Sequence, residues 1–135
     1  MKNEYSSKLD NFLFNTIKDI KNANILEFGV REGISTKKFL EHCNKNESKL
    51  FSVDIDDCSK VANDQNWKFI KSRDDNFEYL ESILPKFFDI ILIDSFHNAT
   101  HVKKIITHYY KKLKKGGFLF IDDICWIPYV KNNYR

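Results

Sequence analysis

Asn24-Ile25-Leu26-Glu27-Phe28-Gly29-Val30-Arg31-Glu32-Gly33-Ile34-Ser35 is the stretch whose reading decides the fold. It reads as a short buried strand, Ile25 to Phe28, then a tight loop, then the opening of a helix. Gly29 and Gly33 bracket the loop. A strand, a glycine turn and a helix N-terminus gather backbone N–H groups around one small volume, which suits a ligand. A dinucleotide fingerprint, G-x-G-x-x-G, needs its second glycine where Arg31 stands. Glu27, closing the strand, would repel a pyrophosphate and attract an ammonium or a sulfonium group. The loop therefore suits a cationic, amino-acid-like ligand better than a dinucleotide, and an NAD-dependent oxidoreductase is disfavoured.

Outward from this stretch the chain alternates helix and strand. Leu9, Phe12, Leu13, Ile17 and Ile20 fall at helical spacing, predicting one helix over 6–22 with a buried stripe. After the loop, Ser35 or Thr36 can cap a helix whose Phe39, Leu40 and Cys43 face inward. Strands are expected over 50–55 and 67–70, the latter short and near an edge. A helix over 76–84 is stopped by Pro85. Phe88 to Ile93 is almost continuously apolar, as in a central parallel strand covered on both faces. A long helix over 99–115, with Val102, Ile105, Ile106, Tyr109 and Leu113 inward, is expected to end at Gly116-Gly117, before a fifth strand over 118–121. Strands separated by helices imply an α/β, doubly wound, mostly parallel sheet with right-handed crossovers. Ligands in such sheets bind beyond the carboxyl ends of the strands.

Composition narrows the class. A chain of 135 residues is expected to form a single domain with an ordinary core, and a net charge of +3 makes no strong case for nucleic acid or a membrane. Three cysteines, Cys43, Cys58 and Cys125, widely spaced and without C-x-x-C, read as reduced thiols of a cytoplasmic protein. The N-terminus is polar and no apolar run approaches the ~18 residues of a membrane span, so neither a signal peptide nor a span is expected.

The strand ends carry the acidic residues. Asp54 ends the second strand, where a carboxylate can accept the hydroxyls of a ribose; a solvated turn acid in Asp54-Ile55-Asp56-Asp57 is the alternative. The fourth strand ends in Asp94-Ser95-Phe96-His97 and the fifth in Asp122-Asp123. If these strands are neighbours, Asp94, Asp122 and Asp123 meet, and three such carboxylates need a compensating cation. A hard divalent ion with oxygen ligands, Mg²⁺, fits that donor set; capping of the following turns is the other reading. His97, with an unperturbed pKa of about 6.5, could serve as a general base. His101 reads as a surface residue, while Trp126 and Tyr129 could wall an acceptor pocket.

Glu27-x-Gly29-x-x-x-Gly33-x-Ser35 resembles the first motif of class I S-adenosylmethionine-dependent methyltransferases. Asp94 with the Asp122-Asp123 pair further resembles the metal-dependent O-methyltransferases, of the catechol and caffeoyl type and the macrocin-type sugar methyltransferases. The resemblance covers roughly 24–126 and implies S-adenosylmethionine bound through Glu27, Gly29, Gly33, Ser35 and Asp54, with Ser72 and Arg73 in the adenine-contacting loop. It implies Mg²⁺ on Asp94, Asp122 and Asp123, with Asp94 and His97 catalytic, and methyl transfer to a small hydroxylated acceptor. Phe96 stands where the sugar-type enzymes place an Asp base, so that base is absent. Family members continue with a helix and two further strands. The resemblance thus implies a Rossmann-like sheet of about five strands, order 3-2-1-4-5, either a fragment or a shortened variant. Its fifth strand would be an open edge, able to pair with a second copy. With much of the acceptor side missing, the alternative is a non-catalytic cofactor-binding or interaction module.

Overall fold

The computed structural model of the chain describes residues 4–94 and 98–122. A helical N-terminal segment comprises α1 (Glu4–Lys8), a π-helical turn (Leu9–Phe14) and α2 (Asn15–Ile17). There follow β1 (Asn24–Phe28), α3 (Ile34–Asn46), β2 (Lys49–Asp54), β3 (Trp67–Lys71), α4 (Phe77–Ile83), β4 (Phe88–Ile93), α5 (Ala99–Tyr110) and β5 (Leu113–Ile121). The five strands form one sheet in the order β3-β2-β1-β4-β5, all pairs parallel. This is the expected α/β Rossmann-like architecture, with β3 and β5 at the edges among the described residues.

Alternation along the strands builds two apolar layers, one on each face of the sheet. On one face Ile25, Leu50, Ile90 and Leu92 pack with Leu9, Leu13, Ile17, Phe39 and Cys43 from the N-terminal segment and α3. On the other, Leu26, Phe28, Val53, Ile91 and Ile93 pack with Leu80 of α4 and with Ile105 and Tyr109 of α5. Glu27 lies between Leu26 and Phe28 in sequence, so its side chain takes the α3 face.

Three local expectations are corrected. The first helix contains a π turn and its helical part ends at Ile17. Leu9, Leu13 and Ile17 recur every fourth residue, which drifts around an ideal α-helix; the wider turn keeps them in line. All three are buried, while Phe12, expected inward, is 68% exposed. The cap of α3 is Gly33, with no side-chain cap bond, because the Ser35 and Thr36 hydroxyls bond to Glu27 instead. Finally, α5 ends at Tyr110 and β5 begins at Leu113, ahead of the glycine pair. Leu113 pairs with Phe88 but Phe118 with Ile90, so the intervening residues of β5 bulge. Gly116 takes φ +83°, and a Cβ on Gly117 would lie 2.7 Å from the Asp89 carbonyl oxygen. The two glycines serve the bulge, not a helix stop.

Candidate functional site

The loop between β1 and α3 owes its shape to residues at positive φ. Gly29 (φ +95°), Arg31 (φ +53°) and Gly33 (φ +92°) alternate with ordinary residues, and the Gly33 N–H closes a turn on the Val30 carbonyl at 2.9 Å. Gly33 is required twice over, since a Cβ there would also sit 2.3 Å from Val61 Cγ1. Arg31 takes the left-handed region that favours glycine, a cost of the kind often concentrated at functional sites.

Glu27 is fully buried beneath this loop. Its Oε2 accepts from the Ser35 hydroxyl, and its Oε1 accepts from Thr36 Oγ1 and Ser52 Oγ, each at 2.7 Å. Burial raises its pKa, while the three hydroxyl donors oppose the shift. Glu27 thus fastens the first turn of α3 to β1 and β2. Asp54 fastens the loop from the other side. Its Oδ2 accepts from the backbone N–H of Val30 at 2.8 Å and of Arg31 at 3.1 Å, and its Oδ1 from that of Asp56 at 3.0 Å. Burial works to raise the Asp54 pKa, but these N–H donors outweigh it and hold the carboxyl below its usual range.

The ends of β4 and β5 deliver the acidic pair. The Asp94 N–H donates to the Phe28 carbonyl at 2.9 Å and the Asp122 N–H to the Ile93 carbonyl at 3.0 Å, continuing the sheet ladder into both residues. Their carboxyl groups interact directly. Asp94 is 7% exposed, and its carboxyl is pushed up to about 7. Burial is the main cause and the Asp122 charge adds to it, against the Tyr5 hydrogen bond and the Arg31 charge. Both carboxylates open into a pocket of about 290 Å³ lined by Tyr5, Val30, Arg31, Glu32, Ile34, Ser35, Asp94 and Asp122. The glycine loop and the acidic pair therefore share one cavity.

Two residues that contact the acidic pair, Tyr5 and Lys8, carry no signal in the sequence. The Tyr5 hydroxyl donates to Asp94 Oδ2, and Lys8 Nζ lies 2.6 Å from Asp122 Oδ1. The sequence pattern in this region is apolar spacing alone, which says nothing about either side chain. Ser72 and Arg73 stand at the end of β3, outside this pocket's lining. The Ser72 hydroxyl donates to the Arg73 carbonyl at 2.8 Å, and the Arg73 guanidinium grips both oxygens of Asp75 at 2.8 and 2.9 Å. His101, expected at the surface, is largely buried and lies 2.8 Å from Asp74 Oδ1 through Nε2, tying α5 to the loop after β3. His97, Asp123, Trp126 and Tyr129 lie outside the described residues. Among the described residues no three His, Cys, Asp or Glu side chains form a cluster able to hold a metal ion. Asp94 and Asp122 alone supply hard oxygen donors of the kind Mg²⁺ takes alongside retained waters.

A profile for the family described as "Methyltransferase domain" matches residues 26–124, which spans both the glycine loop and the acidic pair. The fold matches a protein from Plasmodium falciparum described as a ribosomal RNA methyltransferase, at 20% identity and TM-score 0.68, covering 90% of this chain and 77% of that one. It matches the S-adenosylhomocysteine-bound methyltransferase PaMTH1 of Podospora anserina at 21% identity and TM-score 0.66, covering 90% of this chain and 53% of that one. CalS11, a TDP-rhamnose 3′-O-methyltransferase of calicheamicin biosynthesis, matches at 15% identity and TM-score 0.65, with 87% of this chain and 62% of that chain covered. At these identities the likeness shows the fold, and the chain spans little more than half the length of the last two. Among curated proteins none matches. No helix among the described residues is long and apolar enough to cross a membrane.

Proposed function

The chain belongs to the methyltransferase-domain family, and on that premise we propose that it binds S-adenosylmethionine beside the glycine loop and directs methyl transfer to the hydroxyl of a small acceptor. The observation that carries this reading is the shared pocket: Asp94 and Asp122 open into the same cavity as Val30, Arg31 and Ser35. S-adenosylmethionine supplies an electrophilic methyl group on a sulfonium centre. The loop would receive its amino-acid end, over a Glu27 carboxylate that favours positive charge nearby. Asp54, at the end of β2 beside the loop, would accept a ribose hydroxyl in place of one of its present donors. The acceptor oxygen must lose a proton as its new bond to carbon forms and the sulfur–carbon bond breaks. His97, three residues after Asp94, is the candidate base, and Asp94 would orient the acceptor hydroxyl.

Mg²⁺ belongs to this reading as well, held by Asp94, Asp122 and Asp123, where it would lower the acceptor hydroxyl's pKa and orient it. A small acceptor is preferred to a nucleic acid because a net charge of +3 gives little purchase on a phosphate backbone. A cytoplasmic location and a pairing of copies through the β5 edge are parts of the same proposal.

A second reading, a cofactor-binding module without turnover, is favoured by one observation: Tyr5 and Lys8 already engage the acidic pair. Calorimetric titration with S-adenosylmethionine, S-adenosylhomocysteine and NAD tests the cofactor. Binding of NAD alone would reject methyl-transfer chemistry. Transfer of labelled methyl to a panel of catechols and other phenols, with and without Mg²⁺, then separates the two readings. Cofactor binding with no labelled product across the panel favours the module.

A further inference from the structure

The N-terminal segment is anchored unevenly. Leu9, Leu13 and Ile17 are buried in the α3-face core, but α1 contains no buried residue. What holds α1 over the pocket includes two polar contacts to the acidic pair. The Tyr5 phenol donates to Asp94 Oδ2, and the Lys8 ammonium meets Asp122 Oδ1 at 2.6 Å. Lys8 is 55% exposed, and ion pairs of that kind hold weakly. The Lys8 contact can therefore open while the core residues behind it stay packed, and the Tyr5 contact opens when its half-buried ring leaves the edge of that core.

Their chemistry is specific. A phenolic O–H is received by the buried carboxylate at the end of β4. A positive charge sits over the second carboxylate, where Asp94 and Asp122 together demand one. Tyr5 also reaches Ser35 on the glycine-loop side, so the phenol stands between the loop and the acidic pair. That is the space a hydroxylated acceptor must enter to face a methyl group carried beside the loop.

We propose that Tyr5 and Lys8 are an internal stand-in for the methyl acceptor, the Tyr5 phenol holding the place of its hydroxyl on Asp94 and the Lys8 ammonium the place of a cation on Asp122. Binding is then an exchange: the acceptor hydroxyl replaces the Tyr5 hydroxyl on Asp94, and a cation replaces Lys8 on Asp122. The cation has two sources, an ammonium group on the acceptor or a divalent ion carried with it. This inference rests on the methyl-transfer reading of the same pocket, and specifies the device that guards it.

The test uses the full chain saturated with S-adenosylhomocysteine, as wild type, Tyr5→Ala and Lys8→Ala, titrated calorimetrically with tyramine, p-cresol, and catechol plus Mg²⁺. Tyr5→Ala should tighten all three phenols by about tenfold, the worth of one displaced hydrogen bond. Lys8→Ala should tighten tyramine if the cation is the acceptor's own, or catechol with Mg²⁺ if it is the metal, and should leave p-cresol unchanged. Unchanged or weakened phenol binding in both variants would overturn the inference. So would loss of S-adenosylhomocysteine affinity in Tyr5→Ala, which would put Tyr5 on the cofactor's side. If S-adenosylhomocysteine binds none of the three proteins, the methyl-transfer reading fails and takes this one with it. If it binds all three alike while the phenols do not respond, only the stand-in fails.

Discussion

Glu27 and Ser52 face each other across β1 and β2, with the Ser52 hydroxyl 2.7 Å from Glu27 Oε1. Trp67 Nε1 donates in turn to that same hydroxyl at 2.9 Å, so one polar chain crosses three strands beneath the glycine loop. Removing Glu27 would orphan the buried hydroxyls of Ser35, Thr36 and Ser52 at once. Glu27→Ala should therefore cost about 2–4 kcal/mol in urea unfolding, by lost hydrogen bonds and a cavity. Glu27→Gln, which keeps the shape and sheds the charge, should cost less. If Glu27→Gln binds S-adenosylmethionine as tightly as wild type, the carboxylate's charge has no part in holding the sulfonium or ammonium.

Gly33 offers a test of the loop's geometry. Gly33→Ala meets both a φ of +92° and a contact of 2.3 Å with Val61 Cγ1. We expect a loss of about 2–4 kcal/mol, part from the left-handed backbone and part from overpacking. Adding Val61→Ala should return the overpacking part alone, so the double variant should be more stable than Gly33→Ala by about 1 kcal/mol or more. Strictly additive losses would show that the Val61 contact is irrelevant.

What could be read from the sequence follows from the physics of each feature. Phe88 to Ile93 is almost continuously apolar, as a central parallel strand covered on both faces is, and strands alternate with helices along the chain, so a parallel α/β sheet was legible. The strand order came from the family resemblance, since hydropathy does not order strands. The glycine loop was legible because Gly29 and Gly33 sit where positive φ is needed. The α5–β5 junction was not, since a glycine pair signals a helix end and a bulge equally well. Tyr5 and Lys8 were invisible for another reason: their role is set by tertiary contact with Asp94 and Asp122, and an isolated Tyr and Lys carry no local pattern. Glu27 and Ser35 read as ligand contacts in the sequence, whereas their mutual hydrogen bond, with Thr36 and Ser52, depends on which face of β1 each side chain takes.

Asp54 links the loop to the ribose proposal. Asp54→Ala removes an acceptor from the Val30 and Arg31 N–H groups as well as from any bound ribose. S-adenosylhomocysteine affinity should fall by about tenfold or more, as expected for a hydrogen-bonded carboxylate. Because its folded pKa is depressed, Asp54 lends stability above its usual carboxylate range that is lost as pH falls through the folded value. Asp54→Ala should accordingly lose less stability than wild type on acidification. Unchanged cofactor affinity would reject the ribose role.

Asp94 carries the opposite sign. Its carboxyl is raised from 3.8 to about 7. The stability lent by its proton is fully present below 3.8 and is gone once pH has risen through about 7. Asp94→Asn mimics the protonated form at every pH. In buffers containing a chelator, the variant and wild type should therefore unfold at similar urea concentrations near pH 4. By pH 8 the variant should be the more stable by about 1–4 kcal/mol, since each tenfold change in proton affinity between the folded and unfolded chain is worth about 1.4 kcal/mol. A difference that does not change with pH would mean that Asp94 ionises without penalty. Mg²⁺ supplies the decisive contrast, because an ion bound only by the folded state stabilises it. Added at pH 8, it should raise the wild-type midpoint and leave Asp94→Asn where it was. If Mg²⁺ moves neither protein, the acidic pair holds no divalent ion, and Lys8 is the cation that Asp122 keeps.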